Sequence, residues 1–473
     1  MLKIYNTLSA TKEKFIPIQE GKVNMYVCGM TVYDYCHIGH ARVLVVFDII
    51  SRYLRKIYGS DNVNYVRNIT DIDDKIIARA IENGEDINSL TNRFIQAMHE
   101  DADALEVQRP NSEPRATEHM GEILEMIQTL IKKGAAYHVP VNSTGSGDVF
   151  FQIDQFKTYG KLAKKNLDDL QAGNRVDIDN AKKNPMDFVL WKSAKANEPS
   201  WDSPWGKGRP GWHIECSAMS TRCLGNHFDI HGGGMDLQFP HHENEIAQSE
   251  ACTGEKFVNY WIHNGFVRVD DEKMSKSLGN FFIIRDVLKT YAPEVIRYFI
   301  LNSHYRSALN YSDENLNKAK ASLTTLYQTL LKQKQPSLSI NADEISDNAY
   351  VSRFMQAMDD DFNTPIAISI LFEISHAINK SSDDKEKQLL FVLMRYLGDL
   401  LGLLKSDAEA FLKGKINSEQ NDGLSDEEVD QLIESRKQAK ADKNWSECDR
   451  IRDVLQAQGI ILEDTPEGTR WRR

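Results

Sequence analysis

The chain has 473 residues, 41% of them hydrophobic and 27% charged, which is the composition of a globular protein of about three domains. Its net charge of −12 disfavours a protein that coats nucleic acid non-specifically, so a nucleic acid would have to dock on a local basic patch. The six cysteines include no C-x-x-C pair, and no apolar run near the N-terminus approaches the ~18 residues of a membrane helix. We therefore expect a cytoplasmic protein with no membrane partner.

The N-terminal part of the chain alternates between strand and helix patterns. The apolar run VNMYVC at 23–28 predicts a strand, and a Gly-containing loop then leads to a helix predicted over residues 41–54. A second strand is predicted at 62–70 and a second helix at 73–82. This βαβα order predicts a parallel sheet.

The remainder of the chain divides by composition and periodicity. Residues 140–210 are irregular and rich in Trp, Pro and Gly, which indicates an insertion. Strand patterns return at 227–233 and 257–267, and residues 312–404 show the periodicity of a helical bundle. The acidic segment at 418–430 predicts a linker or a capped helix start, and a more basic segment follows it.

The tetrapeptide HIGH, at 37–40, lies between the first predicted strand and the first predicted helix. Backbone N–H groups and the helix dipole attract anions at such a place, and two imidazoles can contact phosphates. The absent side chain of Gly39 lets a purine approach closely. The alternative is a turn with exposed histidines, which is the commoner explanation of a four-residue match taken alone.

A second motif, KMSKS at 273–277, carries Lys273 and Lys276 on a segment flanked by Ser and Gly. Lysines on such a segment can close over phosphates and stabilise the charge that develops on them. The alternative is an ordinary solvated basic loop. The presence of both motifs, in this order and more than 200 residues apart, favours the first interpretation.

Together the two motifs resemble those of the class I aminoacyl-tRNA synthetases. Several blocks narrow the resemblance to the cysteinyl-tRNA synthetases: MYVCGMTVYDYCHIGHAR, RNITDIDDKII, GWHIECSAMS, FDIHGGGMDLQFPHHENEIAQSE and the terminal ILEDTPEGTRWRR. The likeness spans nearly the whole chain. It implies an α/β fold with a Rossmann-like parallel-sheet catalytic domain interrupted by an insertion, then an α-helical bundle and a small C-terminal domain.

The resemblance also implies domain boundaries, which we give as expectations. They are a first half of the catalytic domain with HIGH at 1–115, a connective insertion at 116–204, a second half with the metal ligands at 205–265, the KMSKS and stem-contact region at 266–311, a tRNA-binding helical bundle at 312–405 and an anticodon-recognition domain at 406–473.

A set of thiol, imidazole and carboxylate side chains indicates a metal site. His241 and Glu245 are four residues apart, on one face of a predicted helix, and Cys28 and Cys216 lie in other blocks. Two thiolates, an imidazole and a carboxylate suit tetrahedral zinc. The spacing does not show that the distant cysteines converge, and three nearby histidines compete as ligands: His231, His242 and His263. The resemblance assigns one zinc ion per chain to Cys28, Cys216, His241 and Glu245.

The resemblance further implies a two-step reaction. Cysteine and ATP, accompanied by Mg2+, give cysteinyl-adenylate and pyrophosphate, and the cysteinyl group then passes to tRNA(Cys), with zinc selecting the substrate thiolate. The implied catalytic residues are His37, His40, Lys273 and Lys276. The implied ATP contacts are His37, Gly39, His40, Asp229, Gly232, Gly234 and Lys276, and the cysteine pocket would contain Thr70 and Trp212. We expect a monomer.

Two other functions fit part of this pattern. A cysteine-activating ligase that uses an amino-sugar acceptor resembles the same catalytic domain but lacks the last domain, whereas EDTPEGTRWRR is intact here. A non-catalytic, zinc-containing RNA-binding paralogue would tolerate the loss of HIGH or KMSKS, and both motifs are present without substitution.

Overall fold

The computed structural model describes residues 1–140, 146–164, 182–196, 198–269, 272–273, 281–332, 345, 347–414, 424–465 and 468–472. Its strands are β1 Lys3–Asn6, β2 Thr11–Lys14, β3 Val23–Val27, β4 Val63–Arg67, β5 Ala136–Pro140, β6 Gly147–Phe151, β7 Phe188–Ser193, β8 Gly208–Pro210, β9 Phe228–Gly234, β10 Val258–Asn264, β11 Val267–Val269, β12 Glu272–Lys273, β13 Leu309–Tyr311, β14 Ile461–Thr465 and β15 Gly468–Arg472.

The α-helices among these residues follow the same chain order. They are α1 Ile38–Tyr58, α2 Asp74–Asn83, α3 Ile87–Ala104, α4 Met120–Lys132, α5 Trp212–Leu224, α6 Glu243–Thr253, α7 Ile284–Leu288, α8 Pro293–Leu301, α9 Asp313–Leu331, α10 Ala349–Asp359, α11 Thr364–Lys380, α12 Asp384–Leu400, α13 Ala408–Leu412, α14 Asp426–Ala441 and α15 Trp445–Ala457. None of the described helices is both long and apolar enough to span a bilayer.

Contacts divide the chain into two units, each described here by itself. The first comprises Met1–Ile284, Ile300–Ser312 and Arg353–Ala367, and the second comprises Arg285–Phe299, Asp313–Ser352 and Ile368–Arg473. The six domain boundaries expected from the sequence stay predictions.

A four-stranded sheet in the order β10, β9, β3, β4 forms the centre of the first unit, and all its neighbouring strands are parallel. This confirms the parallel sheet predicted from the βαβα pattern. Every residue of β9 is buried, as expected for a parallel sheet that is covered on both faces. Gly232 in β9 is required by packing, because a Cβ at this position would lie 2.2 Å from the Phe47 ring of α1.

The prediction that residues 140–210 are irregular is partly wrong. A four-stranded antiparallel sheet in the order β5, β6, β7, β8 places three strands in this region. The strands were missed because β5, β6 and β8 contain Gly or Pro and the pairing is irregular. β8 has only three residues, two of them Gly208 and Pro210, and the register of β6 on β7 shifts between Val149 and Phe150.

The second unit contains most of the predicted helical bundle and a small separate core. The described residues of 312–404 are mainly helical, as predicted. In the acidic segment, Ser425 accepts from the Glu428 backbone N–H while Glu428 accepts from the Ser425 N–H, so a capping box starts α14. The helices α14 and α15 and the hairpin β14–β15 bury a cluster of Val429, Ile451, Leu455, Ile460 and Trp471.

Candidate functional site

The four predicted metal ligands meet at the carboxyl edge of the parallel sheet. Cys28 directly follows β3, Cys216 lies in α5, and His241 and Glu245 flank the start of α6. Cys28 Sγ lies 3.6 Å from Cys216 Sγ, 3.5 Å from His241 Nε2 and 3.3 Å from Glu245 Oε1. No member is more than 4% exposed. The fold therefore brings together thiols that are 188 residues apart.

The cluster concentrates acidic groups where water does not reach. The hydrogen bond from Cys28 lowers the pKa of Cys216 to about 6, whereas burial raises the pKa of Cys28 well above its usual value. Burial opposes ionisation of Glu245, but His231 and His241 hold its pKa well below the usual range. Anionic groups this close in a dry site repel one another, and a divalent cation would neutralise them. The donor set of two sulfurs, an imidazole and a carboxylate fits zinc.

Other imidazoles surround this cluster. His231 Nε2 lies 2.9 Å from Glu245 Oε2. His242 Nδ1 lies 2.8 Å from His263 Nε2, whose own ring contacts the Thr7 hydroxyl at 2.8 Å. A second group of donors also lies within 4.8 Å of one another: Cys28, His231, His242 and Glu245. The preference for the first group stays a prediction that rests on the matched sequence blocks.

His213 is a site residue that the sequence analysis missed. Its Nδ1 lies 2.9 Å from His241 Nδ1, and a metal-bound imidazole is usually oriented by a hydrogen bond at its other ring nitrogen. His213 is half-buried. Loss of solvation lowers its pKa well below the usual value, and the neighbouring His241 adds to that effect. The only signal in the sequence was its place in GWHIEC, beside Trp212.

A cavity of ≈ 390 Å³ extends from the cluster to the start of α1. Cys28 belongs both to the cluster and to the cavity wall, and Trp212 lines the wall with its ring 4.2 Å from that of His241. The cavity also contains residues that the sequence analysis did not assign, among them Lys75, whose Nζ lies 5.6 Å from the centre of the Tyr33 ring. A single cavity thus offers a soft metal site at one end and a helix N-terminus at the other.

The HIGH residues form the N-terminus of α1, as predicted. The Gly39 N–H donates to His37 Nδ1 at 3.0 Å, the His37 N–H donates to His40 Nδ1 at 3.3 Å, and the two rings stack at 3.7 Å. His37, Gly39 and His40 all line the cavity. A helix start of this kind attracts phosphate groups through its dipole and its backbone N–H groups.

Of the two predicted lysines, the structure describes only the backbone of Lys273. The backbone of Lys273 lies in β12, which pairs with β11, and β11 begins with Val267 in the cavity wall. Lys276 lies outside the described residues.

Four other predicted contacts have contrasting environments. Gly234 lines the cavity, whereas Gly232 packs against Phe47. Thr70 is buried, and its hydroxyl accepts from Asn68 at 3.4 Å. The carboxylate of Asp229 lies near the amino end of β9 and accepts from the backbone N–H groups of Ile18 and Asn24 at 2.6 and 2.8 Å. It does not line the cavity, and its role as an ATP contact stays a prediction.

Comparison with protein families covers most of the chain. Residues 14–321 match the family described as tRNA synthetases class I (C) catalytic domain, residues 353–405 match the DALR domain, and residues 422–472 match the cysteinyl-tRNA ligase anticodon binding domain.

Similar proteins extend over the full length. The cysteine–tRNA ligases of Methylococcus capsulatus and Methylobacillus flagellatus are each 60% identical to this chain, over 475 and 473 residues, and the matches cover 100% of both chains. Among solved structures, a methionyl-tRNA synthetase of Mycobacterium tuberculosis bound by methionyl-adenylate has a TM-score of 0.55 at 14% identity, covering 84% of this chain and 93% of the other. At that identity the structural match supports the fold alone.

Proposed function

The chain belongs to the cysteine–tRNA ligases of the class I tRNA synthetases, and from this premise we propose how its residues divide the work. Cysteine and ATP bind in the cavity between the thiol cluster and α1. The cysteine carboxylate attacks the α-phosphorus of ATP, the bond to the leaving pyrophosphate breaks, and cysteinyl-adenylate forms. The terminal ribose hydroxyl of tRNA(Cys) then takes the cysteinyl group and AMP leaves. Neither step needs a protein nucleophile, because positioning and charge neutralisation suffice.

The cluster would hold one zinc ion through Cys28, Cys216, His241 and Glu245. When bound, zinc supplies a soft Lewis acid that favours a thiolate over an alcohol. This chemistry is needed because a site that relied on shape would separate cysteine from serine by only ~1 to 3 kcal/mol. Burial of the four ligands keeps competing water away from them. His213 and His231 orient His241 and Glu245 through hydrogen bonds.

The start of α1 would bind the phosphates of ATP. His37 and His40 contact phosphate oxygens, Gly39 leaves room for the nucleotide, and Gly234 also lines the cavity. Lys273 and Lys276 stabilise the negative charge that accumulates as pyrophosphate leaves. Mg2+ would accompany the ATP.

The aromatic side of the cavity would hold the amino acid. Trp212 is 39% exposed and lies against His241, so its ring can cover a bound cysteine while that residue's sulfur points to the cluster. Thr70 is buried and does not line the cavity, but its backbone N–H donates at 3.1 Å to the carbonyl of Met30, which does. It would support the cysteine pocket through Met30.

The C-terminal third of the chain would bind tRNA(Cys), through the bundle at 312–405 and the domain at 406–473. Trp445 is 59% exposed and offers a surface on which a base can stack. Trp471 is instead part of the small core, and its Nε1–H donates to Asp430 at 2.8 Å. We expect the protein to act as a cytoplasmic monomer.

The observation that carries this proposal is the position of Cys28, which belongs both to the metal cluster and to the cavity that starts at α1. ATP–pyrophosphate exchange with a panel of amino acids tests it. Cysteine should support exchange, and serine should not. Equal exchange with serine or another amino acid would contradict the proposal. Transfer to an amino sugar rather than to tRNA would favour the amino-sugar ligase, which the anticodon-domain match at 422–472 argues against.

A further inference from the structure

We propose that Arg42 and Asp361 are positioning residues. They hold the start of α1, which would bind ATP, at a fixed distance from strand β11, which begins in the cavity wall and pairs with the backbone of Lys273. The proposal rests on the function proposed above, because its effect is on ATP activation. Neither residue lines the cavity, so each would act through the backbone that does.

Arg42 is an unusual residue for its position. It follows His40 by two residues in α1 and is 1% exposed. Among the described residues no carboxylate pairs with its guanidinium. Burial lowers its pKa to about 10, yet the group stays charged at neutral pH. A buried cation without a counter-ion is costly, so this arginine has to be stabilised by the dipoles of its hydrogen-bond acceptors.

Those acceptors are backbone carbonyls from two separate segments. Nη1 donates to the Phe266 carbonyl at 2.8 Å, and Nη2 donates to the Tyr305 carbonyl at 3.0 Å and to the carbonyl of Ser307. The planar, rigid fork of an arginine can hold both segments at once, which a lysine cannot do. Arg42 therefore ties α1 to residues 265–267 and to the turn at 304–307.

Residues 265–267 form part of the cavity wall and lead into the KMSKS strand. Gly265, Phe266 and Val267 line the cavity, and β11 pairs with the backbone of Lys273 through Arg268. Gly265 approaches the turn so closely that a Cβ there would lie 2.4 Å from the Ser307 carbonyl oxygen. A shift of the turn at 304–307 would consequently move the wall of the ATP cavity.

Asp361 holds this same turn from its other side. Its carboxylate accepts from the Tyr305 hydroxyl and from Arg306 Nε, both at 2.7 Å, and from the Tyr5 N–H at 2.8 Å. The side chain is fully buried, and its backbone has a φ of +63°. An aspartate in this left-handed region is strained, so the three hydrogen bonds keep Asp361 in a conformation that the loop would otherwise leave.

Arg42 and Asp361 are thus connected through the turn at 304–307, which forms one path of contacts between them. Asp361 fixes the side chains of Tyr305 and Arg306, and Arg42 fixes the carbonyls of the same turn. Because Arg42 belongs to the helix that carries His37 and His40, the path sets the distance between those histidines and the strand that leads to Lys273. A misplacement of about 1 Å in such a geometry can reduce a rate ~100-fold.

The test uses R42K and D361N in the full-length enzyme, with R297K as a matched control. Arg297 is also fully buried and also donates to a carbonyl, that of Leu401 at 2.7 Å, but it belongs to the second unit. ATP–pyrophosphate exchange gives kcat and the KM values for ATP and cysteine, with active sites counted by adenylate formation. Metal content and the thermal unfolding temperature are measured in parallel.

We expect R42K to lower kcat/KM for ATP by ~30- to 100-fold per active site while KM for cysteine and metal content change less than ~2-fold. D361N keeps the shape of the side chain and should change the same parameter in the same direction by less. R297K should leave both KM values unchanged, whatever its effect on stability. Wild-type exchange that depends on cysteine establishes the function separately.

Unchanged ATP parameters per active site in R42K or D361N, with only a lower unfolding temperature, would overturn the proposal. If R42K does not fold, D361N decides alone. The double variant R42K/D361N gives a further check, because residues that act through one turn are not additive. Its loss in kcat/KM for ATP should be clearly smaller than the product of the two single losses, and a full product would contradict the single path.

Discussion

The two ends of the cavity are built in different ways. The cluster of Cys28, Cys216, His241 and Glu245 is buried and already assembled, with every ligand held in a strand end, a helix or a helical turn. His37 and His40, at the other end, are only half-buried. A group that must recognise one sulfur atom has to exclude water, whereas a group that handles a triphosphate and releases pyrophosphate must stay open to solvent.

This contrast predicts that damage to the closed end has the largest effect. Cys216→Ser removes one sulfur ligand from the buried cluster, so bound zinc should be lost. We expect cysteine-dependent exchange to fall by ~1000-fold, the upper end for one preorganised contact. Metal analysis and exchange kinetics check this. Cys223→Ser is the control, because Cys223 is half-buried and lies outside the cluster. Full zinc content and normal exchange in Cys216→Ser would mean that the other donor group holds the ion.

A single contact to the phosphates should matter less. In the proposed mechanism Lys276 supplies one charge that stabilises the leaving pyrophosphate, so in Lys276→Ala we expect the activation rate to fall by ~100-fold with a smaller effect on cysteine binding. Lys256→Ala, an exposed lysine of the same unit, is the control and should behave as wild type. Pre-steady-state adenylate formation measures the effect. An unaltered rate in the folded Lys276→Ala protein would remove this lysine from the mechanism.

The smallest effect on activation is expected outside the cavity altogether. A chain ending at Gly414 retains Phe411, whose buried ring stacks on that of Tyr327 at 4.0 Å, and loses the segment that matches the anticodon binding domain. It should form cysteinyl-adenylate at a near-normal rate while kcat/KM for charging tRNA(Cys) falls by at least ~10-fold, or ~1.4 kcal/mol of binding. Charging equal to that of the full-length chain would show that the removed segment does not bind tRNA.

The sequence predicted the central sheet because parallel strands buried on both faces are predominantly apolar, as at 23–27 and 63–67, where Asn24, Asn64 and Arg67 are the exceptions. The sheet of β5 to β8 was missed because β5, β6 and β8 contain Gly or Pro, and the pairing of such strands depends on tertiary contacts. The local sequence pattern was therefore sufficient to predict the strands of the central sheet, whose residues are apolar because they are buried.

The residues of the site could be predicted from local sequence only in part. The helical spacing of His241 and Glu245 is visible in the sequence, but no spacing connects Cys28 with Cys216, and only the family resemblance did so. Asp229 was predicted as an ATP contact because it lies in the same block as Gly234, but only the carboxyl end of β9 reaches the cavity. His213 was missed because its role depends on contact with His241, a property of the fold and not of the sequence pattern.

The central claim is that a zinc ion in the buried cluster binds the sulfur of the substrate cysteine directly. The most direct test replaces zinc with cobalt and records the visible spectrum as amino acids are added, because Co2+ reports a new thiolate ligand through its d–d and sulfur-to-metal charge-transfer bands. Saturating cysteine should change the spectrum and strengthen the charge-transfer band, and serine at the same concentration should change neither. A spectrum that ignores cysteine while cysteine-dependent exchange proceeds would make the metal purely structural and contradict the account.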